Sequence, residues 1–222
     1  MKVLLFGATG MVGQGVLREC LLDPDVTQVI AVGRSASGHE AHPKLREVVA
    51  KDLFDLSPVE AELAGADACF FCLGVSSAGM SEADYTRVTY DLTLSIAKTL
   101  VRLGAEKMTF VYVSGAGTDS TEEGRSMWAR VKGKTENALL ALPFRRAIMF
   151  RPGFIQPMHG VTSKTRLYRA VYAVMGPLYP VWKSVAPGFV TTTEKVGRAM
   201  LAVAKRGSEK THLENRDINA LA

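Results

Sequence analysis

Short apolar runs alternate along this chain with longer stretches in which apolar residues recur at helical spacing. The runs predict β-strands, and the periodic stretches predict amphipathic helices. The predicted strands are residues 3–6, 28–32, 45–50, 67–73, 108–113 and 145–150. The predicted helices are residues 14–22, 58–64, 82–103, 126–142 and 195–205, and residues 211–222 predict a last strand with a short helix.

Nearly all positions in these strands are apolar, which is typical of a parallel sheet covered by helices on both faces. The pattern therefore predicts an α/β fold of the doubly wound, Rossmann type, with ligands at the carboxyl ends of the strands. A length of 222 residues, of which 47% are hydrophobic, favours one domain over residues 1–222. Within it, residues 154–190 are expected to cover the substrate cleft.

The junction between the first strand and the first helix carries three glycines. Gly7 permits a tight turn, Gly10 lets the backbone approach a pyrophosphate, and Gly13 allows close packing of the helix on the strand. The unpaired N–H groups of the first helical turn then face the anion. The expected phosphate-binding residues are Gly7, Thr9, Gly10, Met11, Val12 and Gly13. The alternative is an ordinary strand-turn-helix with incidental glycines.

The end of the second strand indicates the coenzyme. An acidic residue there accepts a hydrogen bond from the ribose of NAD, whereas an arginine accommodates the 2′-phosphate of NADP. This chain has Arg34 and Ser35 and no acid at the position, which favours NADP over NAD. Alternatively, Arg34 is a solvated loop residue. Asp52 and Leu53 are expected to contact the adenine, although Asp52 also suits a helix cap.

Composition narrows the range of partners. The net charge of +5 comes from basic residues that are mixed along the chain, without the clustered stripe typical of nucleic-acid binding. We therefore expect a nucleotide coenzyme and a small-molecule substrate, and no nucleic acid. The first apolar run is too short to span a bilayer, so no transmembrane segment is expected there. The pattern of a signal peptide is also missing, which predicts a cytoplasmic location.

The cysteines and histidines predict neither a disulfide nor a metal site. Cys20, Cys69 and Cys72 form an odd set in a chain without an export signal, which is typical of reduced thiols. Cys69 and Cys72 have the spacing of a redox pair, but residues three apart in a strand point to opposite faces. We interpret them as core residues. The four histidines form no helix-spaced pair beside a carboxylate.

Several segments, in a resemblance that extends over most of the chain, resemble the extended and atypical short-chain dehydrogenase/reductases. These are Gly7-Ala8-Thr9-Gly10-Met11-Val12-Gly13, Cys72-Leu73-Gly74, Val111-Tyr112-Val113-Ser114 and Arg151-Pro152-Gly153. Residues 127–136, MWARVKGKTE, are similar to the atypical subgroup that contains the human Tat-interacting tumour-suppressor protein. The resemblance implies a Rossmann NADP-binding domain.

The resemblance also implies a site built from Ser, Tyr and Lys, with an upstream Asn or Asp. In such enzymes the Tyr transfers the substrate proton, the Lys holds the nicotinamide ribose and lowers the Tyr pKa, and the Ser orients the carbonyl. By position, the expected catalytic residues are Ser114 and Lys132, although many relatives have a second Ser where this chain has Gly115. The same match implies coenzyme contacts from Leu73, Gly74, Lys132, Pro152 and Gly153.

The chain departs from the family pattern where the Tyr belongs. Four residues before Lys132 stands Trp128, and Thr89 takes the place of the Asn. An indole N–H does not titrate near neutral pH, so Trp128 cannot act as a general acid or base. Lys132 shares a helix face with Trp128, although a surface lysine is also an ordinary finding. The remaining candidates for the proton donor, each of which also suits packing, are Tyr112, Tyr168 and Tyr172.

Two functions from different classes remain open. The first is an NADP-dependent oxidoreductase or epimerase-like enzyme that acts on a small organic substrate. The second is a non-catalytic NADP-binding protein whose bound nucleotide controls a partner, as the missing Tyr beside an intact nucleotide turn predicts. Residues 159–189 are apolar and rich in aromatic side chains, which suits either a substrate pocket with its lid or an exposed amphipathic patch that meets a partner or a membrane surface. We favour the pocket and lid, followed by self-association into a homo-oligomer.

Overall fold

The computed structural model describes residues 1–36, 38–161 and 188–222. The strands are β1 (Lys2–Phe6), β2 (Gln28–Gly33), β3 (Leu45–Val49), β4 (Ala68–Phe71), β5 (Thr109–Val113), β6 (Arg146–Arg151), β7 (Phe154–Gln156), β8 (Val190–Thr192) and β9 (His212–Glu214). The helices are α1 (Met11–Leu22), α2 (Glu60–Leu63), α3 (Glu82–Thr86), α4 (Leu92–Arg102), α5 (Met127–Leu140), α6 (Thr193–Arg206) and α7 (Asn215–Leu221). Tyr168, Tyr172 and most of the predicted cleft-covering region lie outside the described residues.

The main sheet has seven parallel strands in the order β3-β2-β1-β4-β5-β6-β9. The predicted doubly wound Rossmann fold is therefore confirmed. The strand order reverses between β1 and β4, and the crevice at such a point, outside the carboxyl ends of the strands, is where this fold binds ligands. A second, two-stranded parallel sheet pairs β7 with β8.

Each face of the main sheet carries its own hydrophobic core. Leu5 of β1 joins the cluster that includes Val16 of α1 and Val196 of α6, and we call this side the α1 face. Its neighbour Leu4 joins the cluster that includes Ile96 of α4 and Leu139 of α5, and this side is the α4 face. Because side chains alternate along a strand, an apolar run with both faces covered is buried throughout.

The cysteines follow this alternation. Cys69 packs in the core of the α4 face and Cys72 against that of the α1 face. All three cysteines are free, which agrees with their interpretation as reduced core residues. Burial raises the pKa of the Cys72 thiol to about 12, and it also raises the pKa values of Cys20 and Cys69 well above their ordinary range.

The predicted helix over residues 82–103 has a more complex structure than its periodicity indicates. Between α3 and α4 lies a π-helical turn, Arg87–Asp91, which contains Thr89. The hydroxyl of Thr93 donates to the carbonyl of Thr89 at 2.5 Å. Apolar spacing does not reveal such a turn, because one inserted residue shifts the pattern only slightly.

From α6 onward the chain forms the elements that the sequence predicts. Thr192 caps α6 by accepting a hydrogen bond from the N–H of Lys195 at 3.0 Å. β9 extends the main sheet beside β6, and α7 follows it directly. The side-chain oxygen of Asn215 accepts a hydrogen bond from the N–H of Gly153 at 3.0 Å, which joins α7 to the turn after β6.

Candidate nucleotide-binding site

The turn between β1 and α1 has no room for side chains at two of its glycines. Gly7 has φ +87°, and a Cβ there would lie 2.7 Å from the Cys72 carbonyl carbon. A Cβ on Gly13 would lie 2.0 Å from the carbonyl oxygen of Gly7. Gly10 is the N-cap of α1 and has no side chain to cap it, and its N–H donates to Gly7 O at 2.9 Å. The turn therefore presents bare backbone at a helix N-terminus, which fits a pyrophosphate.

A cavity of about 120 Å³ adjoins this turn. Six residues expected to contact the coenzyme line it, namely Gly7, Thr9, Arg34, Ser35, Leu53 and Leu73. Asp52 does not line it, and its carboxylate accepts a hydrogen bond from the N–H of Phe54 at 2.9 Å. Glu47 also lines the cavity, and the sequence pattern does not indicate it because it lies inside a strand rather than at a strand end.

Lys132 lies at the carboxyl end of β5. Its Nζ donates to the carbonyl oxygen of Val113, the last residue of that strand, at 3.2 Å. It also lies 5.5 Å from the centre of the Tyr112 ring. Burial lowers the pKa of Lys132 to about 8, although the carboxylate of Glu136 one turn later acts in the opposite direction. A lysine with this pKa changes its charge close to neutral pH.

Ser114, the other expected catalytic residue, is held by a buried carboxylate. Its Oγ lies 2.5 Å from Oε1 of Glu136 and 3.1 Å from the carbonyl oxygen of Phe150. Glu136 is fully buried and also forms an ion pair with Arg151. The hydroxyl proton of Ser114 is thus occupied within the protein, and its role towards a substrate stays a prediction.

Of the candidates for the proton donor, Tyr112 is the one that lies within the described residues, and its ring is close to Lys132. Tyr112 is fully buried, and that burial raises its pKa above its ordinary value. Trp128 packs towards Gly117, where a Cβ would lie 3.6 Å from the indole Cη2. Gly115 has φ +133°, so the backbone of a serine at this position would be strained. The strain would not come from crowding, because an added Cβ would meet no atom within 4 Å.

The remaining expected site residues lie around the turn after β6 and at the end of β4. The carbonyl of Pro152 accepts a hydrogen bond from the N–H of Ala116 at 2.8 Å. A Cβ on Gly153 would lie 2.3 Å from the carbonyl oxygen of Phe189, whereas Gly74 has open space around it. The described residues contain no group of three or more potential metal ligands, and none of their helices is long and apolar enough to cross a membrane.

Comparison with known proteins agrees with this geometry. Residues 7–141 match a family model described as NAD(P)H-binding. The mitochondrial protein fmp52 of Emericella nidulans is 29% identical over 205 residues, which cover 89% of this chain and 84% of the relative. The mitochondrial FMP52 protein of Eremothecium gossypii is 31% identical over 157 residues, or 70% of this chain and 66% of the relative. These mitochondrial relatives contradict the expected cytoplasmic location, which was therefore wrong.

Solved structures show the same fold at low sequence identity. A short-chain dehydrogenase/reductase from Saccharomyces cerevisiae has a TM-score of 0.65 and 18% identity, covering 100% of this chain and 98% of its own. A dTDP-glucose 4,6-dehydratase from Streptomyces venezuelae, solved with NAD bound, has a TM-score of 0.66 and 19% identity, covering 100% and 80%. The glycine turn, the cavity beside it and the family match lead to one conclusion: the chain belongs to the NAD(P)H-binding family, with the Rossmann fold of the short-chain dehydrogenase/reductases.

Proposed function

We propose that the protein is an NADP-preferring oxidoreductase, or an epimerase-like enzyme, that acts on a small organic substrate. The observation that carries the proposal is the cavity beside the glycine turn, which Arg34 and Ser35 line. A guanidinium binds phosphate through two N–H donors, and the serine hydroxyl supplies another. The first turn of α1 offers backbone N–H groups to the pyrophosphate.

Lys132 is proposed as the group that holds and donates the proton at the substrate oxygen. A bound nicotinamide coenzyme would supply or accept the hydride. A pKa of about 8 lets the ammonium release its proton near neutral pH, which a general acid requires and which Trp128 cannot provide. We propose that Ser114 acts at this site indirectly, through its hydrogen bond to the Glu136 carboxylate.

A specific observation also favours a second function, a non-catalytic NADP-binding protein that controls a partner. Trp128 replaces the titratable phenol, and the Ser114 hydroxyl is engaged by Glu136. Coenzyme binding without turnover would fit these two changes. The two functions therefore share the coenzyme and differ in whether it reacts.

One experiment separates the oxidoreductase from the regulatory protein. NADPH and NADH are titrated into the pure protein by calorimetry, and oxidation of each is then followed spectrophotometrically with a panel of small carbonyl compounds. The enzyme predicts turnover that declines above about pH 8, as Lys132 loses its proton. Tight binding without oxidation above background contradicts the oxidoreductase and leaves the regulatory protein or an epimerase-like enzyme, which regenerates its coenzyme in each turnover. Binding of neither coenzyme contradicts all three.

The variant Trp128→Tyr tests the assumed arrangement at the reacting end. It places a phenol one helical turn from Lys132, at the position where the resembling family has its Tyr. We expect carbonyl reduction to rise by about tenfold or more, because general acid catalysis typically contributes a factor of about 10² to 10⁴. Trp128→Phe is the matched control, since it removes the indole without adding a hydroxyl.

A further inference from the structure

The cavity beside the glycine turn contains charges of both signs. Arg34 lies just beyond the end of β2, and Glu47 lies within β3, the neighbouring edge strand. Both line the same cavity of about 120 Å³. A group bound there is therefore within reach of a guanidinium and a carboxylate together.

The strand register directs the side chain of Glu47 into this cavity. Glu47 pairs with Ala31 of β2, which packs on the α1 face and also lines the cavity. Val48 packs on the α4 face, so alternation along the strand turns Glu47 to the α1 face, beside Ala31. The loop after β2 folds over the glycine turn on the same side, with His39 Nε2 3.2 Å from the carbonyl oxygen of Ala8.

We infer that Glu47 sets the coenzyme selectivity of this protein by opposing Arg34. A carboxylate accepts hydrogen bonds from ribose hydroxyls but repels a phosphate on the same sugar. Arg34 acts in the opposite direction, since it attracts the phosphate and offers a hydroxyl comparatively little. The preference for NADP is therefore limited by Glu47, and NAD binds as well. This inference rests on the proposed coenzyme site but not on any catalytic activity.

The test measures the dissociation constants of NADPH and NADH for the wild-type protein and for Glu47→Gln and Arg34→Gln. We expect Glu47→Gln to bind NADPH about threefold or more tightly, with NADH unchanged or weaker, because one repulsive charge is removed. Arg34→Gln should weaken NADPH by about tenfold while changing NADH little. The ratio of the two affinities thus moves in opposite directions in the two variants.

The matched control is Glu62→Gln, which makes the same chemical change in α2. Glu62 pairs with Arg46 and does not line the cavity, so both coenzymes should bind it as they bind the wild-type protein. Thermal melting confirms that each variant folds. An unchanged ratio of affinities in Glu47→Gln overturns this inference alone, whereas a wild-type protein that binds neither coenzyme overturns the proposed function as well.

Discussion

The ammonium of Lys132 illustrates how a single residue links burial to chemistry. It lies at the end of β5 between the Val113 carbonyl and the Tyr112 ring, and these neighbours only partly replace its hydration. Its pKa is therefore about 8 in the folded protein, against an ordinary value of 10.5. Between these two pH values the unfolded chain binds more protons than the folded one, so the contribution of Lys132 makes the protein more stable as the pH rises.

The direction of this pH dependence can be tested with Lys132→Met. The difference in unfolding free energy between the wild-type protein and the variant should increase in favour of the wild type from about pH 8 to 10.5. Urea unfolding at several pH values measures it. Lys134→Met, which removes an exposed lysine from the same helix, should lack this increase. A pH-independent difference for Lys132→Met would contradict the lowered pKa.

At the level of elements, the critical contact is the one between α1 and the turn that precedes it. The helix approaches so closely at Gly13 that the space for a Cβ is already filled by the Gly7 carbonyl. The same helix crosses α6 closely at Gly15, where a Cβ would lie 2.5 Å from the Cβ of Thr193. Glycines on two sides of one helix thus fix its position against the glycine turn and α6.

Gly13→Ala should therefore affect both stability and binding. The new methyl group meets backbone atoms that cannot rotate away, so we expect a loss of about 1–3 kcal/mol in unfolding free energy. Displacement of the turn should also weaken coenzyme binding. Gly74→Ala is the control for stability, because its Cβ would meet nothing within 4 Å. Chemical denaturation and calorimetry measure the two effects, and a variant as stable as the wild type would contradict the packing argument.

The elements differ in how far the sequence could predict them. The apolar runs predicted the six strands to within about two residues at each end, because strands that are buried on both faces leave a continuous signal. β7 and β8 were missed, since three residues are too few to show alternation. The pairing of Ser114 with Glu136 was also missed, because it depends on how α5 packs against the sheet, which sequence spacing does not determine.

At the scale of the whole molecule, the chain after α6 returns to complete the sheet and to support the candidate site. β9 pairs with β6, and Ile218 of α7 is buried in the core of the α1 face. Asn215, itself buried, holds the N–H of Gly153 at the turn where a coenzyme contact is expected. Residues far apart in sequence thus stabilise one end of the cleft.

Asn215→Ala should consequently destabilise the entire fold. It leaves the half-buried N–H of Gly153 without its acceptor, which costs about 1 kcal/mol. Asn137→Ala removes hydrogen bonds from an exposed part of α5 and should cost less. Urea unfolding measures the loss of unfolding free energy in both variants. Equal losses would contradict the argument that the hydrogen bond to Gly153 stabilises the fold.

The three cysteines, of which Cys20 and Cys69 are buried and Cys72 is half-buried, determine how this protein reacts with thiol reagents. The thiolate is the form that reacts with maleimide dyes, and the raised pKa values keep all three thiols protonated at neutral pH. A cysteine introduced at an exposed position such as Ser35 would therefore react selectively in the native protein. Fluorescent labels could then report on events at the rim of the cavity without first removing the natural thiols.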